Sequence, residues 1–192
     1  MNPKSLPALF DINFSEEDIE AACADLNSNS AGGADGVPAS LLINCRKELS
    51  RPLYLLWRSS PYHGYIPPDL LLVLICPVHK GGSRAIPKNY RPVALTSHIV
   101  KVFERIMRKA IVTHLEENHY LLDGQHGFRA QRSTLTQLLF FWDSILEKLE
   151  NGQGCDVIYT DFSKAFDKVE TGVLLHKVRD CKITGKVGAW LA

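Results

Sequence analysis

Three features of this 192-residue chain predict an α+β fold, helix-rich with a few short strands. Segments with apolar residues three and four apart recur along it, and short β-branched runs interrupt them. No regular alternation of strand and helix links the two kinds, so a doubly wound parallel sheet is excluded. A hydrophobic fraction of 45% and a charged fraction of 22% are ordinary globular proportions. They exclude a disordered tail, a collagen-like repeat and a disulfide-dense secreted scaffold.

The first element is announced by Ser15-Glu16-Glu17-Asp18, a serine cap with a carboxylate three residues on. Phe14 and Ile19 stand where a hydrophobic staple would close over that cap. Ile19, Ala22, Cys23 and Leu26 then mark one helical face. The Gly-rich stretch from Ser30 to Pro38 ends the helix. A second helix is expected from Pro38 through Leu41, Leu42, Cys45 and Leu49, with Pro52 opening a turn or a kink. Pro67-Pro68 punctuates before Leu70–Val78, which reads as a buried strand, followed by a polar hairpin or loop from His79 to Pro87.

The clearest element is a long amphipathic helix from about Ser97 to Asn118. Ile99, Val102, Phe103, Ile106, Ala110 and Ile111 form its inner stripe. Ser133 caps another helix whose apolar positions are Leu135, Leu138, Leu139, Trp142, Ile145, Leu146 and Leu149, closed by Gly152 and Gly154. Cys155–Thr160 reads as a short strand delivering Asp161 at its end, and a last helix starts near Thr171.

The longest apolar run, Leu70 to Cys76, is far short of the roughly 20 residues that span a bilayer. The acidic start of the chain resembles neither a secretory leader nor a transit peptide. Five cysteines (Cys23, Cys45, Cys76, Cys155, Cys181) are odd in number and scattered, without a C-x-x-C pair, which points to free thiols in an intracellular, reducing setting. Whether that setting is nucleus or cytoplasm stays open. His114 and His119 have the wrong spacing for metal ligands on one helix and read as surface residues. Residues 1–50 carry a net charge of −5, residues 51–132 a net of +7 and residues 133–192 a net of −1. A basic middle of this kind fits a phosphate-tracking surface, and equally a solvated charged face.

One segment stands out for chemistry, Val157-Ile-Tyr-Thr-Asp161-Phe-Ser-Lys-Ala-Phe166-Asp167. An apolar strand ending in a carboxylate is what a two-metal polymerase needs, because rigid carboxylates hold the divalent ions. Taken alone, Asp161 could as well cap the turn that follows it. The heptad Asp161-Phe-Ser-Lys-Ala-Phe-Asp167 resembles the first metal-binding motif of reverse transcriptases from non-LTR (LINE-type, jockey-like) retrotransposons. Upstream, Leu74–Gly82 with Asn89–Leu95 resembles that family's fingers motif, and Gln125-His-Gly127-Phe128-Arg129 with Arg132-Ser133-Thr134 resembles its block near template and nucleotide. Gly33-Ala34-Asp35-Gly36-Val37-Pro38 matches the element that precedes the fingers, although Gly33-Ala34 replaces the more usual Gly-Pro. The resemblance spans roughly residues 11–192.

The resemblance implies the fingers and partial palm of a right-hand polymerase. A helical lead-in would occupy residues 1–29, fingers about 30–150 and the start of the palm about 151–192. It implies that Asp161 is catalytic and a metal ligand, with the carbonyl of Phe162 a second ligand, and that the cofactor is Mg²⁺ in the complete parent enzyme. Lys80 and Arg91 would face the incoming triphosphate, as a point charge and a planar fork suited to phosphate oxygens. Phe166 would be the gate against a ribose 2′-hydroxyl. Gln125, Gly127, Phe128 and Arg129 would contact the template. Asp167 matches the family's second acidic residue, whose role stays open, with helix capping favoured. The implied partners are an RNA template, a DNA primer and a dNTP, with no membrane and no small-molecule cofactor. The family's later parts, a Gly-rich primer-gripping segment and an Asp-Asp metal motif, have no counterpart among these residues. The expectation is therefore a truncated RNA-directed DNA polymerase domain, inactive by itself. The alternative is a non-catalytic nucleic-acid-binding remnant.

Overall fold

The structure is a computed structural model and describes residues 7–63, 66–162 and 165–192. Ser163 and Lys164, inside the heptad above, lie outside the described residues, as do residues 1–6. The helices are α1 (Glu16–Ala24), α2 (Ala39–Asn44), α3 (Arg46–His63), α4 (Pro68–Leu71), α5 (His98–Glu117), α6 (Thr134–Glu150), α7 (Thr171–Asp180) and α8 (Gly185–Trp190). Strands β1 (Leu74–His79) and β2 (Tyr90–Leu95) pair antiparallel, Leu74 opposite Leu95 and His79 opposite Tyr90. Helices and a small two-stranded sheet make an α+β molecule.

Local chemistry starts the helices where expected. Ser15 accepts from the amide of Asp18, whose carboxylate accepts from the Ser15 amide at 3.0 Å, a complete capping box. Ser133 and Thr136 form a second capping box at α6, and Ser97 caps α5 by accepting from the amide of Ile99. Each such cap satisfies donors that the first helical turn leaves without partners.

The core is built where α1, α3, α5 and α8 meet. Its centre is Phe103, fully buried, stacked on Trp57 with ring centroids 4.8 Å apart and met edge-on by Phe14 and Trp190. Ile19, Cys23, Leu42, Leu53, Val102 and Met107 fill in around it. Backbone bonds from Leu9 to Lys182 and from Thr184 to Leu9 strap the start of the chain onto the corner between α7 and α8. At that corner Gly185 has φ +60, and a Cβ there would lie 2.8 Å from the Phe10 carbonyl oxygen. Only glycine fits.

Several expectations are corrected. The helix predicted from Pro38 is two helices broken at Cys45, and Pro52 sits inside α3 without ending it. The Leu70–Val78 run is not a buried strand. It is the turn α4 and then β1, whose Leu74, Ile75 and Val78 are exposed because a two-stranded sheet has no layer packed over it. Cys155–Thr160 forms no strand, having no ladder partner among the described residues. The helix expected near Thr171 does start there as α7, and after Lys182 at φ +61 the chain continues into α8. His114 is not a surface residue. It is buried, and its Nε2–H donates to the Cys181 carbonyl at 2.7 Å. Among the described residues no helix is long and apolar enough to cross a membrane.

Candidate nucleic-acid interface

The β1–β2 hairpin carries the first pair of predicted residues. The amide of Lys80 donates to the Asn89 carbonyl at 2.9 Å and closes the loop, while Arg91 pairs with Val78 across the sheet. Inside the loop, Asn89 Nδ2 donates to the Ser83 carbonyl and the Tyr90 hydroxyl to the Arg84 carbonyl, so the tip is ordered. Lys80 and Arg91 are both exposed, and among the described residues no carboxylate pairs with either. Two cations held on one hairpin without internal partners can meet phosphate oxygens at little desolvation cost.

Behind the hairpin, a network not foreseen from the sequence fixes the Gly-rich turn to the start of α5. Ser97 Oγ donates to Asp35 Oδ2 at 2.6 Å, and His98, fully buried, donates through Nδ1 to the Val37 carbonyl and meets Ser30 Oγ with Nε2. Gly33 passes so close that a Cβ would lie 2.6 Å from the Ser97 nitrogen. Asp35 was legible within the Gly33–Pro38 element and Ser97 as the start of a long helix, while nothing marked His98. Their pairing is long-range.

The third region is the turn between α5 and α6. Arg129 donates from Nε and Nη2 to the two oxygens of Glu116 at 2.8 and 2.5 Å, and from Nη1 to the Leu122 carbonyl. The hydrogen bond from Arg129 holds the Glu116 carboxyl below its ordinary pKa, and the same bond raises Arg129 above its own. The fork predicted to touch template is therefore spent on holding the turn to α5. Arg132 donates to the Asp123 carbonyl at 2.7 Å and to His126. Gln125 and Gly127 are exposed.

Phe128 is pinned between those anchors with φ +62, a backbone region costly for a bulky residue, and its side chain is 80% exposed. Strain of order 1–3 kcal/mol spent on exposing an aromatic ring points toward function rather than packing. Its ring meets Phe166, also 80% exposed, edge to face with centroids 6.3 Å apart. That contact joins two blocks that lie far apart in the sequence. Tyr159 packs against Phe141 on α6, 6.1 Å between centroids.

Asp161 and Phe162 are exposed beside this aromatic pair in sequence. No hydrogen bond or ion pair among the described residues joins Asp161 to the hairpin or to the 125–132 turn. Among the described residues no three His, Cys, Asp or Glu side chains gather as a metal-binding group. One carboxylate does not make the near-octahedral shell of Mg²⁺. Asp167 is not the cap of α7. It lies in a 3₁₀ turn, Phe166–Lys168, and Glu170 holds the cap position without a side-chain bond.

Residues 78–192 match the model of a family described as reverse transcriptase (RNA-dependent DNA polymerase). The chain is 27% identical over 164 residues to the probable RNA-directed DNA polymerase from transposon BS of Drosophila melanogaster, covering 85% of this chain and 18% of that protein. It is 30% identical over 144 residues to the probable RNA-directed DNA polymerase from transposon X-element of the same fly, covering 74% and 16%. With the RNA-directed DNA polymerase from mobile element jockey, also of Drosophila melanogaster, identity is 27% over 164 residues, covering 85% and 18%. The chain thus spans under a fifth of the length of these relatives.

Proposed function

The chain belongs to the reverse transcriptase (RNA-dependent DNA polymerase) family, and from that premise we propose that it is the template- and nucleotide-contacting front of an RNA-directed DNA polymerase of a non-LTR retrotransposon. The parent reaction is templated deoxynucleotidyl transfer, with an RNA template, a DNA primer and a dNTP as partners. The observation that carries this reading is the Phe128–Phe166 contact, which sets the 125–129 block against the segment that follows Asp161.

In this reading the residues divide the work by their chemistry. Lys80 and Arg91 engage phosphate oxygens from the exposed hairpin. Phe128 and Phe166 offer ring faces on which a base or sugar rests, an interaction of about 1–3 kcal/mol per stacked base. Gln125 and Gly127 approach the template backbone, and Arg129 acts at one remove, holding Phe128 in place through Glu116. Asp161 supplies one carboxylate, with the Phe162 carbonyl beside it, toward a Mg²⁺ site. The described side chains do not complete such a site, so no chemical step through it is derived for this chain. Binding is what these residues accomplish unaided, and the chain by itself extends no primer.

Fluorescence anisotropy on an RNA–DNA hybrid from low to physiological salt tests this. Affinity falls steeply with salt, and replacing Lys80 and Arg91 together with alanine flattens the slope by at most about two units, since each duplex phosphate contact contributes roughly 0.9. Salt-independent affinity, or a double variant that binds as the parent does, removes the assignment. In a primer-extension assay with Mg²⁺ and dNTPs, the chain gives no product above an Asp161→Ala control.

A further inference from the structure

We propose that His126 is a proton-operated latch on the turn that presents Phe128, locked when the ring is neutral and released when it gains a proton. The latch goes beyond the polymerase reading and stands whether or not Phe128 touches a nucleic acid.

The geometry assigns the proton. His126 is buried between Arg132 and the start of α6. Its Nε2 lies 3.2 Å from Arg132 Nη1. A guanidinium only donates, so Nε2 accepts and the ring's single proton sits on Nδ1. Nδ1–H then donates to Thr136 Oγ1 at 2.8 Å. That hydroxyl also accepts from the Ser133 amide at 2.8 Å and gives its own proton to the Ser133 carbonyl at 2.9 Å. The result is a directed relay from Arg132 through His126 and Thr136 into the cap of α6. A second proton on the ring would set two donors face to face at Arg132 and stop the relay at its first link.

The charges around the ring oppose that proton from both sides. Arg132 touches it, Arg129 stands in the same turn, and the first turn of α6 brings positive helix-end amides and no acidic residue. The carboxylates nearby are committed elsewhere: Glu116 to Arg129, and the exposed Asp123 at 3.8 Å from Arg132 Nη2. Burial first, then Arg132 and Arg129, hold the His126 pKa below its ordinary value. The unfolded turn therefore takes up the proton before the folded one does. The stabilisation is complete above the ordinary histidine range, about pH 6.5, and is lost as pH falls through the depressed folded value. Phe128 sits between His126, tied to α6, and Arg129, tied to α5. Releasing one anchor frees the strained residue between them.

The test is an NMR titration of the His126 ring in the full chain against a histidine model peptide, alongside amide exchange at Ser133. His126 titrates below the peptide, and Arg132→Gln moves it up toward the peptide value. Protection of the Ser133 amide, corrected for intrinsic rate, drops roughly tenfold between pH 7 and 5 in the parent, the loss expected when a charge-assisted bond is broken. In His126→Gln that drop is absent. A His126 midpoint at or above that of the model peptide overturns the latch, and this reading needs no variant. So does an equal loss of protection in His126→Gln.

Discussion

Helices α5 and α6 are alike on paper and opposite in fate. Both are long, both begin at a serine cap, and both carry an apolar stripe at helical spacing. α5 buries Val102, Phe103, Ile106 and Met107 against α1, α3 and α8, while none of the seven apolar positions on α6 is buried. The stripe of α6 is exposed, as are Ile158, Tyr159, Val173 and Leu174. The comparison teaches that amphipathic spacing specifies that a face wants cover, while the cover itself is a matter of which other elements are present. It also separates the protein into a core that carries its stability and a surface that carries the functional residues.

The sharpest way to break this comparison is to mutate both halves. Trp57→Ala opens a cavity beneath Phe103 and costs about 3–5 kcal/mol in denaturant unfolding. Gly33→Ala forces backbone apart at Ser97 and costs roughly 1–3 kcal/mol, with Asp35 and Ser97 losing their bond. Phe128→Gly splits the two properties: stability rises by up to about 1 kcal/mol as strain at φ +62 is relieved, while affinity for an RNA–DNA hybrid falls. If stability and affinity fall together, Phe128 is a packing residue. Smallest of all, Leu138→Ser with Leu146→Ser on α6 changes stability by no more than about 0.5 kcal/mol per site and reduces self-association in sedimentation at micromolar concentration. A large loss of stability would mean that α6 is packed in solution.

Caps and stripes were legible in the sequence because they are local. Ser15 and Ser133 act on amides three residues away, and the inner stripe of α5 around Val102, Phe103 and Ile106 lies within one helix. The errors arise where distant chain decides. Leu70–Val78 and Cys155–Thr160 have the composition of buried strands, but a strand needs a neighbour and a covering layer that composition does not name. Pro52 lies within α3, whose flanking residues keep the helix going on both sides of it. His114 is buried because the chain near Cys181, far along the sequence, folds back over it. Of the site, the blocks around Lys80, Arg129 and Asp161 could be picked out by their residue patterns. That Arg129 is spent on Glu116, and that Phe128 meets Phe166, could not.

The central claim is that a closed core supports a separate, exposed surface that meets nucleic acid. Hydrogen exchange of the full chain with and without an RNA–DNA hybrid at low salt tests it directly. New protection is expected in the hairpin around Lys80 and Arg91, in residues 125–129 and in the described residues around Asp161 and Phe166, with amides of α1, α3 and α5 around Phe103 unchanged. Protection confined to the core helices, or spread evenly along the chain, would contradict it.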